Sequence, residues 1–109
     1  KLKKGGILLI YTPNKNSIGF DYLKEKQNNV VPPFHLTYFC KKSFQFFPKN
    51  LKIIYCATFG LDVGDIYAYE RDFKDKILAK NLKNNYTKFQ DTIDQLGLAN
   101  HMRVILKKK

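Results

Sequence analysis

The chain is predicted to be an α/β protein in which three strands carry flanking helices, and three observations lead there. Two apolar runs, ILLIY at 7–11 and LKIIYCATF at 51–59, have the β-branched and aromatic content of buried strands. Between 78 and 96, apolar residues recur every three or four positions, the period of a helix with one apolar face. A further run, HMRVILK at 101–107, reads as the last strand.

Taken in order, Leu2, Lys3 and Lys4 read as the final turn of a helix, basic as helix C-termini tend to be. Gly5 and Gly6 supply the positive φ that ends such a helix. Ile7, Leu8, Leu9, Ile10 and Tyr11 follow without a polar break, the pattern of a strand buried on both faces. Such a strand needs a layer above and below, so residues 1–109 read as the C-terminal portion of a larger domain. Thr12, Pro13 and Asn14 then break the strand, since proline cannot continue a central one. Residues 14–29 read as a loop with a short helix around Ile18, Phe20, Tyr22 and Leu23. The prolines at 32 and 33 make the next stretch extended.

A short helix is expected at 40–47, with Phe44 and Phe47 on its inner face and Pro48 stopping it. After the strand at 51–59, Gly60, Asp62, Gly64 and Asp65 open a turn, and 66–73 fit either a helix or an irregular lid. The stripe Leu78, Leu82, Tyr86, Phe89, Ile93 and Leu96 predicts one continuous helix, with Gly97 at its C-terminal cap.

Composition narrows the class of function. With 44% hydrophobic and 15% aromatic residues the chain can build a core, which excludes a disordered segment. No apolar run reaches the roughly 18 residues of a membrane span. Cys40 and Cys56 are too few for a disulfide framework and read as reduced thiols of a cytoplasmic protein. The net charge of +11 rests almost entirely on lysine, with Arg71 and Arg103 the only arginines. Without the bidentate guanidinium fork, the charge reads as a solvated basic surface rather than a specific nucleic-acid site.

Three segments together resemble the C-terminal half of class I S-adenosylmethionine-dependent methyltransferases, in particular the UbiG-like small-molecule methyltransferases. LKKGGILLIYTPN at 2–14 is similar to the family's fifth strand and its preceding turn. PPFHLTYFCKKSF at 32–44 is similar to its proline–proline–His–Leu segment. ATFGLDVGDI at 57–66, with HMRVILKK at the end, resembles the sixth and seventh strands. The resemblance implies a partial doubly wound, Rossmann-like sheet comprising its last three strands, with a helical insertion at about 66–100. It also implies that the cofactor is S-adenosylmethionine, held mainly by a Gly-rich loop that has no counterpart in this sequence. The chain is therefore expected to be inactive alone and to act on a small-molecule methyl acceptor.

Candidate site residues follow from this frame. Open α/β sheets bind ligands at strand carboxyl ends, so Thr12, Pro13 and Asn14 are candidates for the cofactor and acceptor wall. The same residues also fit a strand terminator with Asn14 closing a turn. His35, its backbone fixed by two prolines, is the candidate catalytic base for an acceptor hydroxyl, or alternatively a loop anchor. Phe34, Leu36 and Tyr38 are candidate acceptor contacts, with 61–65 completing the wall. Asp62 and Asp65 are expected to cap the following helix rather than bind metal, and His101 to anchor the last strand. Cys40, where relatives often have Ser or Thr, is expected to be a weak helix cap. Alternatives are a noncatalytic basic module for nucleic acid or membrane surfaces, or a degenerate methyltransferase-like assembly domain. The strand at 7–11 should present an open edge, paired with another copy of the chain or covered by the helix Leu78 to Leu96.

Overall fold

The computed structural model describes residues 1–30 and 37–109. The order of elements is β1 (Ile7–Pro13), α1 (Ile18–Leu23), two short 3-10 turns (Lys24–Lys26 and Lys41–Phe46), β2 (Leu51–Phe59), α2 (Asp62–Phe73), α3 (Lys76–Asn84), α4 (Tyr86–Gln95) and β3 (His101–Lys108). The protein is thus mixed α/β, with one three-stranded sheet in the order β1-β3-β2. β3 runs antiparallel to both neighbours, with Tyr11 opposite Arg103 and Phe59 opposite His101. β1 and β2 are therefore parallel to each other on either side of it. A bulge between Ile53 and Tyr55 shifts the register of β2.

Alternation along β3 decides where the core lies, because successive strand residues face opposite sides. Met102, Val104 and Leu106 are buried and pack with Phe44 of the second 3-10 turn, flanked by Ile10, Phe39, Phe47, Ile53 and Cys56. A second cluster joins Val63, Ile93 and Ala99 to Ile18, Leu82 and Tyr86, binding the helices to one another. The molecule measures 53 × 31 × 17 Å. Its thinnest dimension is close to one sheet with a single covering layer, given roughly 10 Å between packed layers.

Several expectations are corrected. The strand at 7–11 is not buried on both faces: Ile7, Leu9 and Tyr11 are each about 60% exposed. Among the described residues β1 is an edge strand and nothing covers its second face. Nor does the helical stripe cover it, since α4 packs against β2. Edge position also explains why β1 continues through Pro13 instead of stopping before it: a missing N–H is tolerated on an edge. Residues 2–4 do not end a helix. Gly5, at φ +77°, serves a tight turn in which Gly6 N donates to Lys3 O.

The stripe at 78–96 forms two helices, not one. Asn85 sits at φ −120°, ψ 21°, outside the helical region, while its N–H and its side chain both donate to the Asn81 carbonyl. Leu96, the last member of the stripe, is exposed. Gly97 does take the left-handed cap, at φ +75°, with Gly97 N donating to Asp94 O and Leu98 N to Ile93 O. Residues 66–73 are helical, within an α2 that already begins at Asp62. Among the described residues no helix is long and apolar enough to cross a membrane.

Candidate functional site

The carboxyl ends of β1 and β2 lie on either side of the start of β3, and three separate segments meet there. Asn14 leaves β1 and makes a parallel bridge to Phe39, with Lys15 N donating to Phe39 O at 2.8 Å. Asn14 N donates to Asn100 O at 2.8 Å. Asn29 Nδ2 reaches the same Asn100 carbonyl at 3.4 Å. Asn29 and Phe39, on either side of residues 31–36, are thus held at one end of the sheet.

A buried polar knot fixes this end. Asp62, fully buried, accepts hydrogen bonds from Gly19 N at 2.9 Å, Asn100 N at 2.8 Å and Gln90 Nε2 at 3.4 Å. It therefore ties α1, α2, α4 and β3 together, and it does not cap α2 as the sequence suggested. Asp65 accepts from Asn28 Nδ2 at 2.7 Å and Asn100 Nδ2 at 3.1 Å. The helix N-cap position falls instead on Leu61, which makes no side-chain bond. Leu61 N donates to Asn100 Oδ1 at 3.2 Å, leaving both aspartates free to face α1 and β3. Burial pushes the Asp65 carboxyl up from its ordinary value. The nearby Asp62 charge adds to this, while the Asn28 and Asn100 bonds and the nearby His101 oppose it.

Beside the knot, on the covered face of the sheet, a cleft of about 440 Å³ is lined by Asn14, Asn16, Lys41, Thr58, Asp94 and Gln95, among others. Its walls offer an amine, a carboxylate, amides and the Cys56 thiol. The volume lies within the roughly 300–1,000 Å³ common for small-molecule sites. Thr58 Oγ1 is already committed to the Asp94 carbonyl at 3.1 Å. Among the described residues no group of three His, Cys, Asp or Glu side chains is arranged to hold a metal ion.

Of the residues singled out in the sequence, Thr12, Pro13 and Asn14 are all buried at this end. Asn14 Nδ2 donates to Ala99 O at 2.9 Å and its Oδ1 accepts from Asn16 N at 3.2 Å. Pro13 has no N–H, and the Thr12 hydroxyl faces the Pro13 carbonyl at 3.4 Å. Of the three, Asn14 also lines the cleft. Phe34, His35 and Leu36 lie outside the described residues. Tyr38 meets Phe20 edge-on, with ring centroids 5.4 Å apart. His101 forms a three-ring cluster with Tyr11 and Phe59, and its Nδ1 is 2.9 Å from Asn100 Oδ1. Cys40 does stand at the N-cap of its turn, and the Ser43 hydroxyl supports it by accepting from Cys40 N at 3.0 Å. That hydroxyl also holds the Cys40 thiol below its ordinary pKa.

Sequence reasoning missed the residues that build the knot, namely Asn100, Gln90 and the buried Gln27, whose Nε2 donates to Asp65 at 3.5 Å. Gln90 carried a legible signal: it lies four residues after Tyr86 and three before Ile93, a polar break on an otherwise inward-facing stripe. Compared with known proteins, the chain matches no family model, no curated protein and no solved structure.

Proposed function

We propose that the chain forms the acceptor side of an S-adenosylmethionine-dependent methyltransferase, contributing the last three strands of a doubly wound sheet. The observation that carries this reading is the strand order, in which two parallel strands flank a single antiparallel one. Doubly wound sheets commonly include one antiparallel strand in an otherwise parallel array, and they bind ligands at the carboxyl ends of the parallel strands. Asn14, Phe39 and Asp62 come from three segments distant in sequence and meet at that end, where Asn14 also lines the cleft.

In this reading the acceptor is a small molecule. The cleft's mixture of Lys41, Asp94 and amides suits a polar one. Bound S-adenosylmethionine supplies an already activated methyl group, so the protein's task is to position the acceptor, exclude water and take up a proton. His35 is the proposed base for that proton. The chain's own wall does not hold the cofactor, which requires a Gly-rich loop from outside these residues.

The test is release of S-adenosylhomocysteine, measured for residues 1–109 alone and for the chain joined to the polypeptide encoded immediately upstream. The longer form should bind S-adenosylmethionine and methylate small hydroxyl or amine acceptors. In it, His35→Ala should lower kcat more than it raises KM. Turnover by residues 1–109 alone, or no cofactor binding by the longer form, refutes the proposal.

A further inference from the structure

The chain's charge is segregated in a way that its total conceals. Residues 1–20, 27–61 and 95–109, which contain all three strands, hold twelve of the twenty lysines and arginines and none of the nine acidic residues. The remaining segments, which contain α2, α3 and most of α4, are close to neutral. Four of the twelve, Lys52, Arg103, Lys107 and Lys108, lie in the strands themselves. On its uncovered face the sheet presents large apolar side chains from each strand: Leu9 and Tyr11 on β1, Ile105 on β3 and Tyr55 on β2. Cations frame them. Arg103 stacks over Phe59 at 4.9 Å, and Lys52 and Lys107 line a shallow hollow with Ile54, at the bulge. Among the described residues β1 and β2 are both edges, so backbone groups on their outer sides are open to pairing.

Elements of a domain bury their apolar faces against another layer, and an exposed face of this kind marks an interaction surface. We propose that the bare face of the sheet is a docking surface for an acidic amphipathic helix of a protein partner. Charge complementarity selects this occupant. A second copy would bring an equally basic face against the first, and like charges facing each other are costly. Single-stranded nucleic acid needs stacking rings along its path. Here the rings of Tyr11, His101 and Phe59 cluster on one another at one end of the face instead of lining a path along it, and Ile7, Leu9 and Ile105 beyond them suit the apolar side of a helix, while Arg103, Lys52 and Lys107 suit glutamates on its flanks. The inference rests on burial and charge alone; in the methyl-transfer reading the helix on this face is one supplied by the upstream polypeptide, since doubly wound sheets are covered on both faces.

The probe is an 18-residue helical peptide with leucines at i, i+3, i+4 and i+7 and glutamates on both flanks, titrated into the isotope-labelled full chain. Amide shifts at Leu9, Tyr11, Tyr55 and Ile105, with affinity falling steeply as salt rises, are expected. Leu9→Ser, at a position that is 61% exposed and outside the core, should weaken binding on the order of tenfold. Arg103→Ala should flatten the salt dependence. A peptide with lysines in place of the glutamates should not bind. Equal binding of the two peptides, shifts confined to another face, or no binding at all overturns the proposal. So does tighter binding of a single-stranded oligonucleotide to the same face, or peptide-free dimerisation through it.

Discussion

Replacing Asp62 with alanine should unfold the junction between sheet and helices before it disturbs either alone. The carboxylate accepts from two backbone N–H groups, Gly19 at 2.9 Å and Asn100 at 2.8 Å, and from the Gln90 amide. Deleting it leaves both N–H groups without a partner in a site closed to water, at roughly 1–3 kcal/mol each. An opposing effect exists. No ion pair compensates Asp62 among the described residues, so its removal also relieves the desolvation of a buried charge. The net loss should therefore be about 2–4 kcal/mol, a large part of the roughly 5–15 kcal/mol that holds a domain of this kind folded. Urea unfolding followed by far-UV circular dichroism should show the midpoint falling by roughly 1–2 M. Hydrogen exchange at Gly19 and Asn100 should accelerate most. Asp91→Ala, on the exposed face of α4, serves as the control and should change stability by less than about 0.5 kcal/mol. A loss at Asp62 below about 1 kcal/mol, or one matched by the control, would refute the assignment of Asp62 as the tie between the layers.

Three further outcomes follow from neighbouring contacts. Tyr22→Phe removes the hydroxyl that donates to buried Glu70 at 2.6 Å, leaving that carboxylate mainly the Asp75 N–H, and should cost roughly 1–3 kcal/mol in a thermal melt. Gly60→Ala would drive a methyl into Asn100 Oδ1, so Asn100 must release Leu61 N and His101. A changed His101 ring nitrogen resonance and a loss of about 1–3 kcal/mol are expected, and an unchanged resonance would count against the contact. Because the folded Asp65 pKa lies above its ordinary 3.8, the folded chain binds more protons than the unfolded one just above that pH. Its contribution to stability therefore declines as pH rises through the window from 3.8 to the folded value. Asp65→Asn should remove that decline from the pH–stability curve, whereas a curve of identical shape would refute the assignment.

The strands were the most legible part of this sequence. The run 51–59 coincides with β2, and 101–107 falls one residue short of β3, because apolar runs bounded by Gly, Pro or Asn leave little choice of conformation. Gly97 was legible for the same reason, since few other residues tolerate its φ. Burial was harder to read. ILLIY has the composition of a central strand, yet nothing within 7–11 records whether neighbouring layers exist. The break at Asn85 was hidden because the apolar period continues across it, and a change of φ and ψ at one residue leaves no mark on periodicity. The candidate site was half legible. The strand ends at 12–14 and 61–65 do converge, but Asp62 looked like a cap because its true partners, Gly19 and Asn100, lie about forty residues away on either side.

The place of β3 in the middle of the sheet has a consequence for how the chain is made. β1 and β2 share no backbone hydrogen bonds with each other, and both depend on a strand that is synthesised after them. While a ribosome adds roughly 5–20 residues per second, two apolar strands must wait for several seconds with unpaired edges. The helices between them can form early from local contacts, but the sheet closes in one late step over nearly the whole length of the chain. Its nascent form is therefore a helical segment with two exposed sticky ends, and its solubility in that interval depends on how quickly residues 101–108 arrive or on what shields the strands until then.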